Sequence, residues 1–297
     1  MRVAHRKITY FSEGHAIAAT LFTPDEQLEG ETYPAVLLCQ GFGGIRETPN
    51  FNGIGNALTD AGYVALTFDY RGWGESGGQR GRLAPLEQVD DIRNSITFLE
   101  TLDLVDPERI GLLGVSYGCL TATHAAAIDK RAKATLGCLG VATGYQAVTN
   151  VRTPTEMIGW EDKVREARRN LVLYNDADRS LKGQDIFRDD QSLIPIPAYW
   201  ENVPLARTPM GFDSIGRVMD HRPIDVVHNI SPRMLGLLCA TADSCADPGS
   251  LRKLYDAAAE PKRWIPIEGL GHYDLYGAHF DRFKREIIYF FDEFLLA

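Results

Sequence analysis

The stretch Gly114-Val115-Ser116-Tyr117-Gly118 decides the reading of this chain. It follows Arg109-Ile110-Gly111-Leu112-Leu113, a run apolar enough for a buried strand. It leads into Cys119-Leu120-Thr121-Ala122-Thr123-His124-Ala125-Ala126-Ala127-Ile128, which reads as a buried helix. A G-x-S-x-G between strand and helix is the pattern of a nucleophile elbow. The tight turn lifts the serine above the sheet, and the flanking glycines let strand and helix pass without Cβ clashes. Ser116 is therefore a candidate nucleophile toward an acyl carbon.

Outward from that turn, strands and helices alternate. Residues 7–10 and 15–21 flank Ser12-Glu13-Gly14, a hairpin signal. Residues 33–39 form an apolar run that ends in Gln40-Gly41-Phe42-Gly43-Gly44. A helical spacing over 52–61 stops at Gly62, and 63–70 reads as another buried strand. A helix over 85–102, the elbow unit and a strand over 134–141 follow. The pattern resumes with a strand at 233–241, a helix at 250–259 and a strand at 263–267. It closes on an amphipathic helix with Phe280, Phe283, Ile287, Phe290 and Phe294 at spacings of three and four. Near-continuously apolar strands separated by helices predict an α/β fold whose mostly parallel central sheet is covered on both faces.

The alternation fails over 144–225. There Met157, Trp160, Val164, Ala167, Leu171 and Tyr174 make one apolar helical stripe, while 192–209, rich in proline and aromatics, looks irregular. Ligand sites in such sheets lie at the carboxyl ends of the strands, where a late insertion can cover them. The chain thus divides into a core of 1–143 and 226–297 with 144–225 as an inserted cap. Trp160, Tyr199, Trp200, Met210 and Phe212 suggest an apolar or aromatic lining for it, with Trp160, Tyr199 and Trp200 the candidate substrate contacts.

A serine hydroxyl needs a base to take its proton and an acid to orient that base. In an elbow fold the order is serine, acid, histidine, each beyond a strand end. Of seven histidines, only His272 and His279 follow the last core strands. His272, in the glycine-rich loop Glu268-Gly269-Leu270-Gly271-His272-Tyr273-Asp274, is the better base. His279 begins the closing helix, His124 reads as a satisfied core residue, and His221 and His228 precede their strand. Two aspartates follow the strand at 233–241. Asp243 is nearer its end and is favoured as the acid, whereas Asp247 before Pro248 has the signature of a helix cap. A tetrahedral oxyanion needs two preorganised donors. The N–H groups of Tyr117 and of Phe42 are the candidates, and the Phe42 ring is placed to floor an acyl pocket.

The bulk composition narrows the class. Among 297 residues, 44% are hydrophobic and 24% charged, as in an ordinary globular core, and the net charge of −9 argues against nucleic acid or an anionic membrane as partner. Cys39, Cys119, Cys138, Cys239 and Cys245 have no C-x-x-C spacing, so reduced buried thiols are expected. With no apolar leader or membrane-length run, a cytoplasmic protein is the expectation. Gly72-Trp73-Gly74-Glu75-Ser76-Gly77 matches G-x-G-x-x-G, but Gly78-Gln79-Arg80-Gly81 follows where a dinucleotide fold would open a helix. Gly41-Phe42-Gly43-Gly44 lacks the Lys-Ser/Thr of a phosphate loop, and no histidine–carboxylate cluster has metal spacing. No cofactor and no metal are expected, and a homodimer is the base expectation.

Together these motifs resemble the α/β-hydrolase superfamily. They are Gly41-Phe42-Gly43-Gly44, Phe68-Asp69-Tyr70-Arg71-Gly72-Trp73-Gly74-Glu75-Ser76, the elbow, Ala259-Glu260-Pro261-Lys262 and Gly271-His272-Tyr273-Asp274-Leu275-Tyr276. The chain looks most like the branch of X-Pro dipeptidyl-peptidase, cocaine-esterase and dienelactone-hydrolase-like domains, and it is also similar to fungal polyketide thiohydrolases and acyltransferases. The resemblance implies Ser116 as nucleophile, His272 as base, Asp243 as acid, and oxyanion N–H groups at Phe42 and Tyr117. Two departures stand out: Gln40 replaces a frequent histidine before Gly41, and Cys119 replaces a frequent third glycine. The expected activity is hydrolysis of a small-molecule carboxylic ester, thioester or lactone through an acyl-enzyme. The alternatives are an acyltransferase on the same intermediate, an X-Pro amidase or peptidase with Glu156, Glu161 or Asp162 holding the substrate amine, and a non-catalytic binding module.

Overall fold

The structure is a computed structural model that describes residues 4–24, 30–177, 179–181 and 183–296, apart from the side chains of Ala4, Gly183, Gln184 and Trp200. Its frame is one eight-stranded sheet. The strands are β1 (Ala4–Ser12), β2 (His15–Thr23), β3 (Tyr33–Cys39), β4 (Val64–Phe68), β5 (Val105–Val115), β6 (Ala132–Cys138), β7 (Met234–Ala240) and β8 (Lys262–Ile267). They lie in the order β1-β2-β4-β3-β5-β6-β7-β8. β1 pairs antiparallel with β2 and β2 with β4; every pairing from β4 to β8 is parallel. Both faces are covered, which is why β3, β4 and the end of β5 read as unbroken apolar runs. Along β3 the alternation is visible: Ala35, Leu37 and Cys39 enter one core, Val36 and Leu38 the other.

The first core is packed by helices α2 (Pro85–Glu100) and α3 (Tyr117–Ile128). The second lies under α1 (Pro49–Asp60) and the closing helix, and it holds Phe283, Ile287 and Phe290, each at most 1% exposed. Sequence periodicity located these elements because each helix buries a stripe against a sheet face. Helix α1 begins three residues earlier than the apolar spacing suggests. Thr48 accepts the Phe51 N–H, and Pro49 sits at a position that needs no donor.

Between β6 and β7 run α4 (Gly144–Thr149), α5 (Pro154–Tyr174), α6 (Gly183–Ile186), α7 (Pro195–Asn202) and α8 (Phe212–Met219). Thr153 and Glu156 close a capping box at the start of α5. Met157, Trp160, Val164 and Ala167 are buried along it, but the stripe ends there: Leu171 is half-buried and Tyr174 exposed. The stretch expected to be irregular contains α7, whose prolines fall in its first turn, where N–H groups have no helical partner anyway. After β7 come α9 (Pro248–Ala257) and, beyond β8, α10 (Phe280–Leu295). Cys39, Cys119, Cys138 and Cys239 are buried free thiols, and Cys245 is a half-buried one. Among the described residues no helix is long and apolar enough to cross a membrane. The glycine-rich run at 72–77 is a turn-containing loop that opens no helix.

Candidate active site

Ser116 stands between β5 and α3 with φ 58° and ψ −124°. A non-glycine residue there costs about 1–3 kcal/mol, so the surroundings must enforce it. They do so by close approach. A Cβ on Gly114 would meet the Gly118 carbonyl, and one on Gly118 would meet the Cys39 carbonyl. The Ser116 N–H donates to the Cys138 carbonyl at 2.8 Å, which pins the turn to β6. Cys119 is accommodated rather than crowded, because Gly137 and Gly140 leave the space that its Cβ and Sγ occupy.

The loop after β8 brings His272 Nε2 to 3.1 Å from Ser116 Oγ. His272 Nδ1 lies 2.7 Å from Asp243 Oδ2, in the loop after β7. The other carboxylate oxygen of Asp243 accepts the N–H groups of Cys245 (2.9 Å) and Ala246 (2.7 Å). Asp243 and His272 are buried. This order is the hydrogen-bond relay by which a neutral imidazole can take a hydroxyl proton while a carboxylate holds its far N–H. Asp247 is spent elsewhere: it caps α9, accepting from Gly249 and Ser250 N–H at 3.2 and 2.9 Å. His279 is the residue before α10.

Phe42 follows β3 in a turn closed by Gly44 N–H donating to the Gly41 carbonyl at 3.1 Å. Among the described residues, neither the Phe42 nor the Tyr117 main-chain N–H donates to a protein acceptor. Gln40 is buried and donates from Nε2 to Thr67 Oγ1 at 2.5 Å, tying the start of this loop to β4. Farther along, Arg46 is ion-paired with Asp69 and Glu75. Asp69 Oδ1 also accepts the Arg46 N–H at 2.7 Å, so the loop is anchored at both ends.

Sequence reasoning gave no hint of Gln191. This side chain from the β6–β7 insertion donates to the Ala242 carbonyl at 2.7 Å and accepts the His272 N–H at 2.9 Å. It therefore bridges the loops that carry Asp243 and His272. Ser192 Oγ, its neighbour, lies 3.0 Å from the Tyr273 hydroxyl.

Two chambers meet at Ser116. One of about 370 Å³ is bordered by His272, Thr48, Phe51, Ile196 and Tyr199, and another of about 40 Å³ by Tyr117, Leu120, Leu139 and Val141. The rings of Phe42 and Phe187 belong to both walls and meet edge-on at 5.6 Å. Tyr199 is thus at the site, whereas Trp160 borders neither chamber. It packs edge-on against Phe212 at 5.2 Å under the Arg152 guanidinium, in an extension of the first core. Met210 and Phe212 are buried with it. The Trp200 side chain lies outside the described residues.

Behind the elbow, the Tyr117 hydroxyl lies 3.3 Å from His221 Nδ1, and His221 Nε2 lies 3.0 Å from His124 Nδ1. The two imidazoles stack. Burial, with His124 adding to it, pushes His221 down to about 3. His124 is satisfied, as the sequence suggests, but by a histidine from the far end of the insertion. Among the described residues no group of three or more His, Cys, Asp and Glu side chains converges as a metal site.

The fold and this arrangement define a class. Residues 34–185 match the family described as alpha/beta hydrolase fold, and the chain belongs to that family. It is 32% identical to an uncharacterized 31.7 kDa Escherichia coli protein from the traX-finO intergenic region, over 93% of this chain and 95% of that one. A thiohydrolase of Eupenicillium brefeldianum is 27% identical over 86% of this chain and 85% of its own. The crystal structure of hypothetical protein PA2218 from Pseudomonas aeruginosa superposes with a TM-score of 0.84 at 25% identity, over 99% of this chain and 94% of that one.

Proposed function

We propose that the chain is a serine hydrolase of carboxylic esters and thioesters that works through an acyl-enzyme on Ser116. The observation that carries this is the unbroken relay Ser116 Oγ to His272 Nε2 at 3.1 Å and His272 Nδ1 to Asp243 at 2.7 Å. Ser116 Oγ attacks the carbonyl carbon as its proton passes to His272 Nε2. Asp243 holds the Nδ1–H and stabilises the imidazolium. The oxyanion takes the main-chain N–H groups of Phe42 and Tyr117 as its two donors. The bond to the leaving group then breaks, and that group departs with the proton from His272. Water repeats the sequence: His272 takes its proton, the hydroxyl adds to the acyl carbon, and Ser116 Oγ leaves protonated. Residues 144–225 act as a cap that covers the site and limits water. The thiohydrolase among the relatives supports including thioesters.

The test is turnover of p-nitrophenyl acetate by Ser116→Ala. A loss of at least a thousandfold in kcat, with an unchanged melting transition, is expected. A rate within tenfold of the wild type would sink the assignment.

A further inference from the structure

Ser116 borders two chambers of very different size, and only the larger is also bordered by His272. We propose that the small chamber receives the acyl substituent and the large one the leaving group. The preferred substrate would then join a short-chain acid to a bulky, largely apolar alcohol or thiol. This deepens the serine-hydrolase reading and rests on it.

Four groups surround the carbon in the tetrahedral intermediate, and three have fixed places. Ser116 Oγ is one. The oxyanion must face the N–H groups of Phe42 and Tyr117. The leaving heteroatom must receive a proton from His272 Nε2, so it lies about 3 Å from that atom. Its substituent therefore extends into the chamber that His272 borders. The acyl substituent is left with the other side, where Leu120, Leu139, Val141 and Ala147 close the wall. That side measures about 40 Å³. The smaller of the substrate's two substituents therefore belongs there. The larger chamber, at about 370 Å³, falls in the roughly 300–1,000 Å³ range of small-molecule pockets. The Phe42 and Phe187 rings form a wall shared by the two chambers.

Two ester series read this directly. For p-nitrophenyl esters, kcat/KM should fall at least tenfold from propionate to hexanoate. For acetates of similar leaving-group basicity, 2-phenylethyl acetate should exceed ethyl acetate at least tenfold. Val141→Ala, or Leu120→Ala if the first variant does not fold, should raise the hexanoate-to-acetate ratio at least fivefold by lengthening the small chamber. Hexanoate cleaved as well as acetate, by a wild type whose Ser116→Ala variant is dead, would overturn the chamber assignment and leave the hydrolase reading standing. No ester cleaved, together with no fluorophosphonate adduct on Ser116, would overturn both.

Discussion

The side-chain carbonyl of Gln191 accepts the main-chain N–H of His272 at 2.9 Å, while its amide nitrogen donates to the Ala242 carbonyl at 2.7 Å. One residue of the insertion thus braces the loop that carries the imidazole against the loop that carries its carboxylate, beside the direct bond from Ala242 N–H to the Leu270 carbonyl at 2.9 Å. Small displacements of reacting groups are costly, about a hundredfold in rate for 1 Å. Gln191→Leu should lower kcat roughly tenfold to a hundredfold, with a smaller change in KM and little change in the melting transition. Kinetics on a short-chain p-nitrophenyl ester check this, and an unaltered kcat would show that the two loops hold their spacing without it.

Asp243 and Asp247 lie four positions apart and have separable duties. Asp243→Asn removes the group that orients His272 and should cost about 10⁴ in kcat, while the fold persists. Asp247→Ala removes the cap of α9 and should cost about 0.5–2 kcal/mol of stability with kcat intact. Steady-state rates and urea midpoints on both variants separate the two. Comparable losses of activity in the two variants would contradict this division of duties.

The buried pair His221–His124 predicts a pH-dependent stability. His221 is held down to about 3 in the folded chain, against about 6.5 when unfolded. Between those values the unfolded chain binds a proton that the folded chain refuses, so stability is fully present above about pH 6.5 and is lost as pH falls. By pH 4.5 the loss from this group is roughly 2–3 kcal/mol. Denaturant midpoints at pH 7.5 and 4.5 should draw closer together in His221→Gln than in the wild type. Identical pH dependence in the two proteins would contradict the assignment.

Asp69 supports the loop that carries Phe42, through Arg46 and through its main-chain N–H. Asp69→Ala leaves the buried Arg46 with only the more exposed Glu75 and Glu47 as ion-pair partners and should cost about 3–5 kcal/mol. Urea unfolding measures this directly, and a cost below 1 kcal/mol would show that Glu75 compensates.

The site was legible in the sequence where local pattern dictates geometry. The elbow is a strand, a tight turn and a helix written in twenty consecutive residues, so Ser116 stands out without any tertiary information. His272 follows from chain order and from its glycine-rich loop. Asp243 and Asp247 both follow β7, and only the folded chain separates them, because the Asp247 side chain turns into α9 while Asp243 turns toward His272. Gln191 and the His221–Tyr117 contact were invisible for a different reason. They join segments 81 and 104 residues apart, and no periodicity or turn rule records such a pairing. Helix α7 was hidden by its prolines, which usually break helices but sit in the one turn that tolerates them. Trp160 shows the converse: an aromatic at helical spacing in the insertion packs into the hydrophobic core against Phe212 and borders neither chamber.

The most direct measurement is covalent. A fluorophosphonate should add once per chain, on the peptide that contains Ser116, as read by intact mass and fragment mapping. The adduct should disappear in Ser116→Ala and form at least a hundredfold more slowly in His272→Gln, because the serine then lacks its base. Ester turnover by wild-type protein with no adduct, or with the adduct on any other residue, would contradict Ser116 as the nucleophile.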